Sequence, residues 1–170
     1  WGRFVRPDEK ILLKPNLLNR ADPGRAVTTN PAVFESVALS LKNKGFSRLC
    51  YGDSPGHPGS VEKTAEICGL KEAADRLEIP LADFSRSQTV AYIRGRTSRK
   101  FEICQGVLDS DAIINLCKMK THQLERITGG VKNMFGCVYG MNKGATHAKY
   151  PDAESFAQML IDLNLLLKPR

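Results

Sequence analysis

The chain has 170 residues and a net charge of +7, and 42% of its residues are hydrophobic. This length suffices for a hydrophobic core without disulfides or a structural metal, so we predict a single domain over residues 1–170. No apolar run approaches the roughly 18 residues of a transmembrane helix, which predicts no membrane partner. The first residue is Trp1 rather than Met, and we expect the chain to be a piece of a longer protein.

The five cysteines are spread singly along the chain, and none belongs to a Cys-x-x-Cys pair. We interpret them as reduced, mostly buried thiols, which favours a reducing compartment. The pattern argues against a zinc ribbon or an iron–sulfur cluster held by this segment alone. Because no signal-peptide pattern is present either, we predict a cytoplasmic location.

Strands and helices are predicted to alternate along the first half of the chain. Pro15 ends the first strand in a loop, and Asn30 followed by Pro31 is typical of a helix start. Val33 and Val37 continue that helix at helical spacing. The predicted order is strand Ile11–Leu13, a helix from Pro31 to Gly45, strand Arg48–Tyr51, helix Ser60–Cys68, a short helix to Leu77 and strand Ile79–Phe84.

The second half of the chain predicts a hairpin, one more buried strand and a long final helix. The bounds are Val90–Ile93 and Phe101–Cys104 for the hairpin strands, Asp111–Leu116 for the buried strand and Asp152–Leu167 for the helix. One face of that helix carries Phe156, Met159, Leu160, Leu163 and Leu167, which indicates docking on the core. The whole pattern predicts an α/β fold, a three-layer sandwich with a mixed, mainly parallel sheet.

Ligands of open α/β sheets bind beyond the carboxyl ends of the strands, where loops converge. Three loops qualify, Lys14–Leu18, Asp53–Gly59 and Lys118–Gly130. Residues 118–149 contain six basic residues and one acidic residue, a surplus of five positive charges. Such a concentration attracts carboxylates, phosphates or a nucleic-acid backbone.

Gly129 and Gly130 open a helix whose first amides are free donors, and Lys132 adds a full charge to the same end. Anions are the expected ligands, although the P-loop pattern is absent. The predicted contacts to an anionic cofactor are Lys14, Asn16, Lys120, Gly129, Gly130, Lys132 and Asn133. Alternatively, the two glycines form a tight turn and the lysines are solvated. Asp53, directly after a strand, is either a binding residue for a metal or hydroxyl or a turn former.

The three histidines, His57, His122 and His147, all lie in predicted loops beside glycine, proline or lysine. Imidazole is both a common metal ligand and an acid or base suited to neutral pH. A lone histidine is usually structural, but three such positions favour a site.

Several motifs together resemble the domain of unknown function 362 family. They are ILLKPNLL at 11–18, TTNP at 28–31, GDSPG at 52–56, KTH at 120–122, TGGVKNMFG at 128–136 and His147. The resemblance covers nearly the whole chain. It implies association with a ferredoxin-type iron–sulfur module outside this segment, but no activity.

The order His57, His122, Lys132 and His147, at separations of 65, 10 and 15 residues, is distantly similar to nickel-pincer lactate racemases. This resemblance implies that His57 and His122 form a catalytic acid/base pair. It further implies that Lys132 anchors a nickel-pincer-like or other anionic cofactor and that His147 ligates the metal. The racemases carry Asp-x-Thr-Arg after the first strand, where this chain has Lys14-Pro15-Asn16, so the phosphate contacts must differ.

Three functions follow from these patterns. The first is a metal-cofactor-dependent isomerase or a redox-linked enzyme that acts on a small anionic molecule. The second is a non-catalytic domain that holds an anionic cofactor beside a ferredoxin-type module. Nucleic-acid binding is third, because the basic segment Arg94–Lys100 lacks interleaved aromatic residues.

Overall fold

A computed structural model describes residues 1–55, 60–122, 126–140, 146 and 148–170. The strands are β1 Ile11–Pro15, β2 Leu49–Tyr51, β3 Ser87–Ala91, β4 Lys100–Cys104, β5 Ala112–Leu116, β6 Lys120–His122 and β7 Arg126–Thr128. The α-helices are α1 Pro31–Lys42, α2 Val61–Ile67, α3 Leu70–Arg76, α4 Gln105–Leu108, α5 Gly130–Asn133 and α6 Ala153–Leu167. Short 3-10 helices span Pro23–Arg25 and Met134–Cys137.

The central sheet has the order β2-β1-β5, and both pairings of β1 are parallel. Ile11 of β1 lies opposite Leu49 of β2 and Ala112 of β5. All five residues of β1 are buried, as a central strand covered on both faces requires. The carboxyl ends of β1, β2 and β5 therefore lie at one edge of the sheet.

Two hydrophobic clusters cover opposite faces of this sheet. Ile11 and Leu13 belong to the cluster formed with α1, α2 and α3, whereas Leu12 belongs to the cluster formed with α6 and the hairpin strand β4. The alternation follows from the two-residue period of a strand, which sends successive side chains to opposite faces. These layers confirm the predicted α/β fold.

Helix α1 begins as predicted, because the Asn30 side chain accepts a hydrogen bond from the Ala32 amide and Pro31 occupies the first turn. The buried stripe of α1 is nevertheless Phe34, Ala38 and Leu41, while Val33 is 52% exposed. The aromatic ring of Phe34 occupies the core in place of Val33 and packs edge-on against the Tyr51 ring, with 5.5 Å between centroids.

The predicted strand Ile79–Phe84 is reduced to a single bridge between Leu81 and Tyr51. Around it, Tyr51 donates its amide to the Pro80 carbonyl and accepts from the Ala82 amide. Pro80 has no N–H to extend the pairing, which limits the ladder at this point. The first hairpin strand, expected at Val90–Ile93, begins earlier, at Ser87, and ends at Ala91.

The stretch Lys118–Gly130, expected as a loop, contains the antiparallel pair β6 and β7. Thr121 of β6 lies opposite Ile127 of β7. The pair carries few buried side chains, since only Thr128 of its described residues is buried. A short, polar, exposed hairpin has a weak apolar pattern, which is why the sequence favoured a loop here.

Asp162 of α6 fastens the tip of the β3–β4 hairpin to the core. Its carboxylate accepts backbone hydrogen bonds from Arg96 at 3.1 Å, Thr97 at 2.8 Å and Ser98 at 2.9 Å. Burial by itself raises the pKa of Asp162, but the three backbone donors outweigh it and hold the pKa below its ordinary value. The basic tip is therefore anchored through its backbone.

Four of the cysteines, Cys50, Cys68, Cys104 and Cys137, are free and buried, and Cys117 is free and exposed. This confirms the interpretation of mostly buried thiols. Within the described ranges, no helix is long and apolar enough to cross a bilayer.

Candidate functional site

Lys14 and Asp53 form a buried ion pair at the carboxyl edge of the central sheet. Lys14 lies in β1 with no exposed surface, and its Nζ lies 2.8 Å from Asp53 Oδ1. The second carboxylate oxygen of Asp53 accepts the Leu17 amide at 2.7 Å. A charge taken out of water needs such partners, and the pair thereby joins the loop after β2 to the loop after β1.

Gly136 closes over this ion pair. A Cβ built at Gly136 would lie 1.7 Å from Asp53 Oδ1 and 2.6 Å from Lys14 Nζ. The Gly136 carbonyl also accepts the Ser54 amide at 3.0 Å. The 3-10 helix Met134–Cys137 therefore approaches the pair at a distance that only glycine permits.

A chain of side-chain amides extends from the ion pair toward the start of α5. Asn133 is buried, and its Nδ2 donates to Asn115 Oδ1 at 2.7 Å and to the Lys14 carbonyl at 3.3 Å. Its Oδ1 accepts from Asn16 Nδ2 at 3.0 Å. Asn115 Nδ2 in turn donates to the Gly130 carbonyl at 2.8 Å. These bonds fix α5 against the ends of β1 and β5 and orient each amide.

Lys120 of β6 joins the same network from the hairpin side. Its Nζ lies 2.5 Å from Asn16 Oδ1 and 2.9 Å from the Val27 carbonyl oxygen. Burial is the main cause that lowers the pKa of Lys120 to about 8; the charge of Asp53 opposes this shift, and the charges of Lys132 and Lys118 add to it. Lys120 is therefore a half-buried cation whose charge is incompletely compensated.

Lys132 of α5 lies beside aromatic rings. Its Nζ is 5.7 Å from the centroid of the Phe156 ring and 6.0 Å from that of Phe135. Both rings offer their electron-rich faces to the ammonium group. The positive charge of Lys132 also lowers the pKa of Lys120, so the two cations contribute to the same positive electrostatic potential.

The backbone at the start of α5 is open. A Cβ built at Gly129 would meet no atom within 4 Å, and one at Gly130 would meet Asn115 Nδ2 at 3.6 Å. Gly129 is the N-cap residue of α5, and no side chain caps the helix there. Helix α5 has only four residues before the 3-10 helix begins. Neither glycine is required by crowding, unlike Gly136.

The predicted contact residues are brought together in part. Lys14, Asn16, Lys120 and Asn133 form one hydrogen-bonded network. His122 ends β6 opposite Arg126 and is half-buried. His57 and His147 lie outside the described residues, so the predicted convergence of the histidines stays a prediction. Among the described residues, no group of three His, Cys, Asp or Glu side chains is placed to hold a metal ion.

Asn115 and Thr29 belong to the network although the sequence did not single out either side chain. The Thr29 hydroxyl donates to the Leu116 carbonyl at 2.6 Å and accepts the Asn16 amide at 2.8 Å. The detectable signal for Asn115 was one amide inside an otherwise apolar strand, AIINL. Asp53, considered as a metal ligand or a turn former, is the ion-pair partner of Lys14.

Residues 11–170 match the family model described as "Domain of unknown function (DUF362)". The thylakoid-associated protein sll1697 of Synechocystis sp. is 36% identical over 170 residues, which cover 99% of this chain and 51% of that protein. The chain thus spans about half the length of this relative. The distant resemblance to nickel-pincer lactate racemases stays a prediction.

Proposed function

The chain belongs to the domain of unknown function 362 family, and we propose that it binds an anionic small molecule or cofactor at the carboxyl edge of the β2-β1-β5 sheet. The observation that carries the proposal is the incompletely compensated positive charge of Lys120. Among the described residues its hydrogen-bond acceptors are the neutral oxygens of Asn16 and Val27. An anion would supply the negative charge that this half-buried cation lacks.

The electrostatic cost of burying the Lys120 ammonium supports this function. A cation that loses water without gaining a counter-ion is destabilised, and the pKa of Lys120 falls to about 8. Lys132 and Lys118 add to the positive field at the same place. Charge-assisted hydrogen bonds to an anion are roughly twice as strong as neutral ones, so binding would recover this cost.

The rigid amide network supports a binding role as well. Asn16 and Asn133 are held by hydrogen bonds to each other and, through Asn133, to β1 and β5. A preorganised network loses little conformational freedom when a ligand binds. The open backbone at Gly129 gives such a ligand room to approach α5.

Catalysis is not part of this proposal. An isomerase or redox-linked mechanism would use His57 and His147, which lie outside the described residues. A partner ferredoxin-type module stays an expectation from the family resemblance. The relative carries a thylakoid association in its name, and the cytoplasmic location expected for this chain stays a prediction that fractionation of the native host would test.

Titration of the protein with pyrophosphate, measured by isothermal titration calorimetry, tests the proposal. We expect Lys120→Gln to weaken binding by about tenfold or more, the loss of one charge-assisted contact. Lys44→Gln is the matched control, because Lys44 is exposed just after the end of α1 and carries the same charge. Equal weakening by both variants would reveal a nonspecific charge effect, and no binding of pyrophosphate or phosphate by the unchanged chain would overturn the proposal.

A further inference from the structure

Within the described residues, the outer edge of β5 is open along most of its length. β5 pairs with β1 on one side, and within the described part of the chain no strand pairs with its other side. In a parallel strand, alternate residues direct their peptide groups to opposite sides. Ala112 and Ile114 face β1, so Ile113 and Asn115 direct their N–H and C=O groups outward.

One backbone bond already occupies this edge. The amide of Arg170 donates to the carbonyl of Ile113 at 2.8 Å. Lys168, with φ 47° and ψ 59°, ends α6 in the left-handed conformation and turns the chain from the helix toward β5. The segment after α6 therefore arrives at the first outward-facing peptide group of the strand.

Further contacts fix Arg170 in this register. Its guanidinium donates to the Phe4 carbonyl, and a second nitrogen lies 3.9 Å from Glu9 Oε1. Glu9 is buried and also accepts the Arg6 amide at 2.7 Å. Arg170 is thus held from both its backbone and its side chain.

We propose that the outer edge of β5 binds one further strand, parallel to β5, which continues directly from Arg170 in a protein of the relative's length. β5, helix α6 and this strand form the β-helix-β crossover that joins neighbouring parallel strands. The relative has about as much chain again as the part matched here. An unpaired edge strand also favours aggregation, because its free N–H and C=O groups can pair with another chain. An added strand would cover these groups of β5.

The register of the added strand follows from the bond at Ile113. In the proposed pairing, the Asn115 amide would donate to the Arg170 carbonyl, and the second residue after Arg170 would donate its amide to the Asn115 carbonyl. The Cys117 amide then donates to the carbonyl of that second residue. The first residue after Arg170 directs its peptide group away from β5.

This strand brings new residues to the candidate site. Parallel strands end at the same edge of the sheet, and Asn115 near the end of β5 contacts Asn133 and the Gly130 carbonyl. The loop after the added strand consequently lies beside α5. A role of this loop in ligand binding rests on the proposed function, whereas the strand pairing does not.

Three extended forms of the chain test the pairing. The first carries six residues of alternating Thr and Val after Arg170. The second has proline at the second added position, where the amide must donate to Asn115. The third has proline at the first added position, whose N–H faces solvent and is dispensable in an edge strand. Hydrogen exchange of the Cys117 amide is measured by NMR in each form, with the Ile103 amide as an internal check of folding.

We expect the Thr/Val extension to slow exchange at Cys117 by about tenfold or more relative to the 170-residue chain. Proline at the first added position retains the protection, and proline at the second abolishes it. Unchanged exchange in the Thr/Val form, or equal protection with both prolines, overturns the proposal. Protection that rises with protein concentration together with a dimer in sedimentation assigns the edge to a second copy and also overturns it. Pyrophosphate is absent throughout, so the result does not depend on anion binding.

Discussion

Lys14 Nζ and Asp53 Oδ1 lie 2.8 Å apart in the interior, although 39 residues separate them in sequence. Replacing Asp53 with Asn leaves the Lys14 ammonium buried without its counter-ion. We expect Asp53→Asn to lower the free energy of unfolding by about 3–5 kcal/mol, measured by urea denaturation at pH 7. Glu72→Gln breaks an exposed pair with Arg76 and serves as the control, with an expected cost of about 0–1 kcal/mol. Equal costs would contradict the buried pair.

Gly136 is expected to tolerate no side chain. The methyl group of Gly136→Ala would overlap Asp53 Oδ1, so the 3-10 helix or the ion pair must shift. We expect a loss of about 1–3 kcal/mol in the free energy of unfolding, comparable with overpacking elsewhere. Gly129→Ala, where the added methyl meets open space, should cost less than about 1 kcal/mol. Thermal unfolding of the two variants side by side checks the difference, and a reversed order would contradict the close approach.

Because Asp162 anchors the β3–β4 hairpin through its carboxylate, we expect this anchoring to weaken at low pH. Its pKa is held below the ordinary value of 3.8 by backbone donors despite its burial. The stabilisation is therefore complete above about pH 4, the unfolded-state pKa, and is lost as the pH falls through the lower folded-state pKa. We expect Asp162→Asn to cost about 1–3 kcal/mol at pH 7 and much less at pH 2–3. A cost that does not change between these pH values would show that the carboxylate charge is irrelevant.

Anion binding should weaken in mild alkali if Lys120 contacts the ligand. Without a ligand, the pKa of Lys120 is about 8. A bound anion raises this pKa, because the anion binds the protonated form of Lys120. We expect the affinity for pyrophosphate to stay constant between about pH 6.5 and pH 7, apart from the effect of titration of the ligand itself. Above pH 8 it should fall by up to tenfold per pH unit. Sulfate, which does not titrate in this range, is the control ligand, and Lys120→Gln should remove the dependence.

Lys132 separates a charge role from a covalent role. If Lys132 only adds positive charge near the Phe135 and Phe156 rings, Lys132→Arg should retain most pyrophosphate binding, because guanidinium pairs with anions and stacks on rings. Lys132→Ala should weaken binding by roughly tenfold. If Lys132 anchors a cofactor covalently, arginine fails as alanine does, and intact mass of protein from its native host shows the adduct. Unchanged binding and mass in Lys132→Ala would make it a surface lysine.

The candidate site was predictable where a motif lies at a strand end. Asn16, Lys120 and Asn133 were expected to converge, and they share hydrogen bonds. Asn115 was not expected, because an amide inside a strand pattern reads as an interruption of apolar residues. Lys14 was expected to contact a ligand, which stays a prediction, and the structure places its ammonium in an ion pair with no exposed surface. Spacing along the chain indicates which loops meet but not which side chains point inward.

The order of elements was predictable from local patterns, since apolar periodicity and helix caps act within a few residues. Asn30 with Pro31 and Asp152 with Ser155 begin helices through bonds that span two or three positions. Sequence patterns alone therefore determined the α/β class and the start of each long helix. Tertiary structure alone decided the Lys14–Asp53 pair and the lowered pKa of Lys120. Both depend on how much water distant segments remove from a charge, and that quantity exists only once those segments pack together.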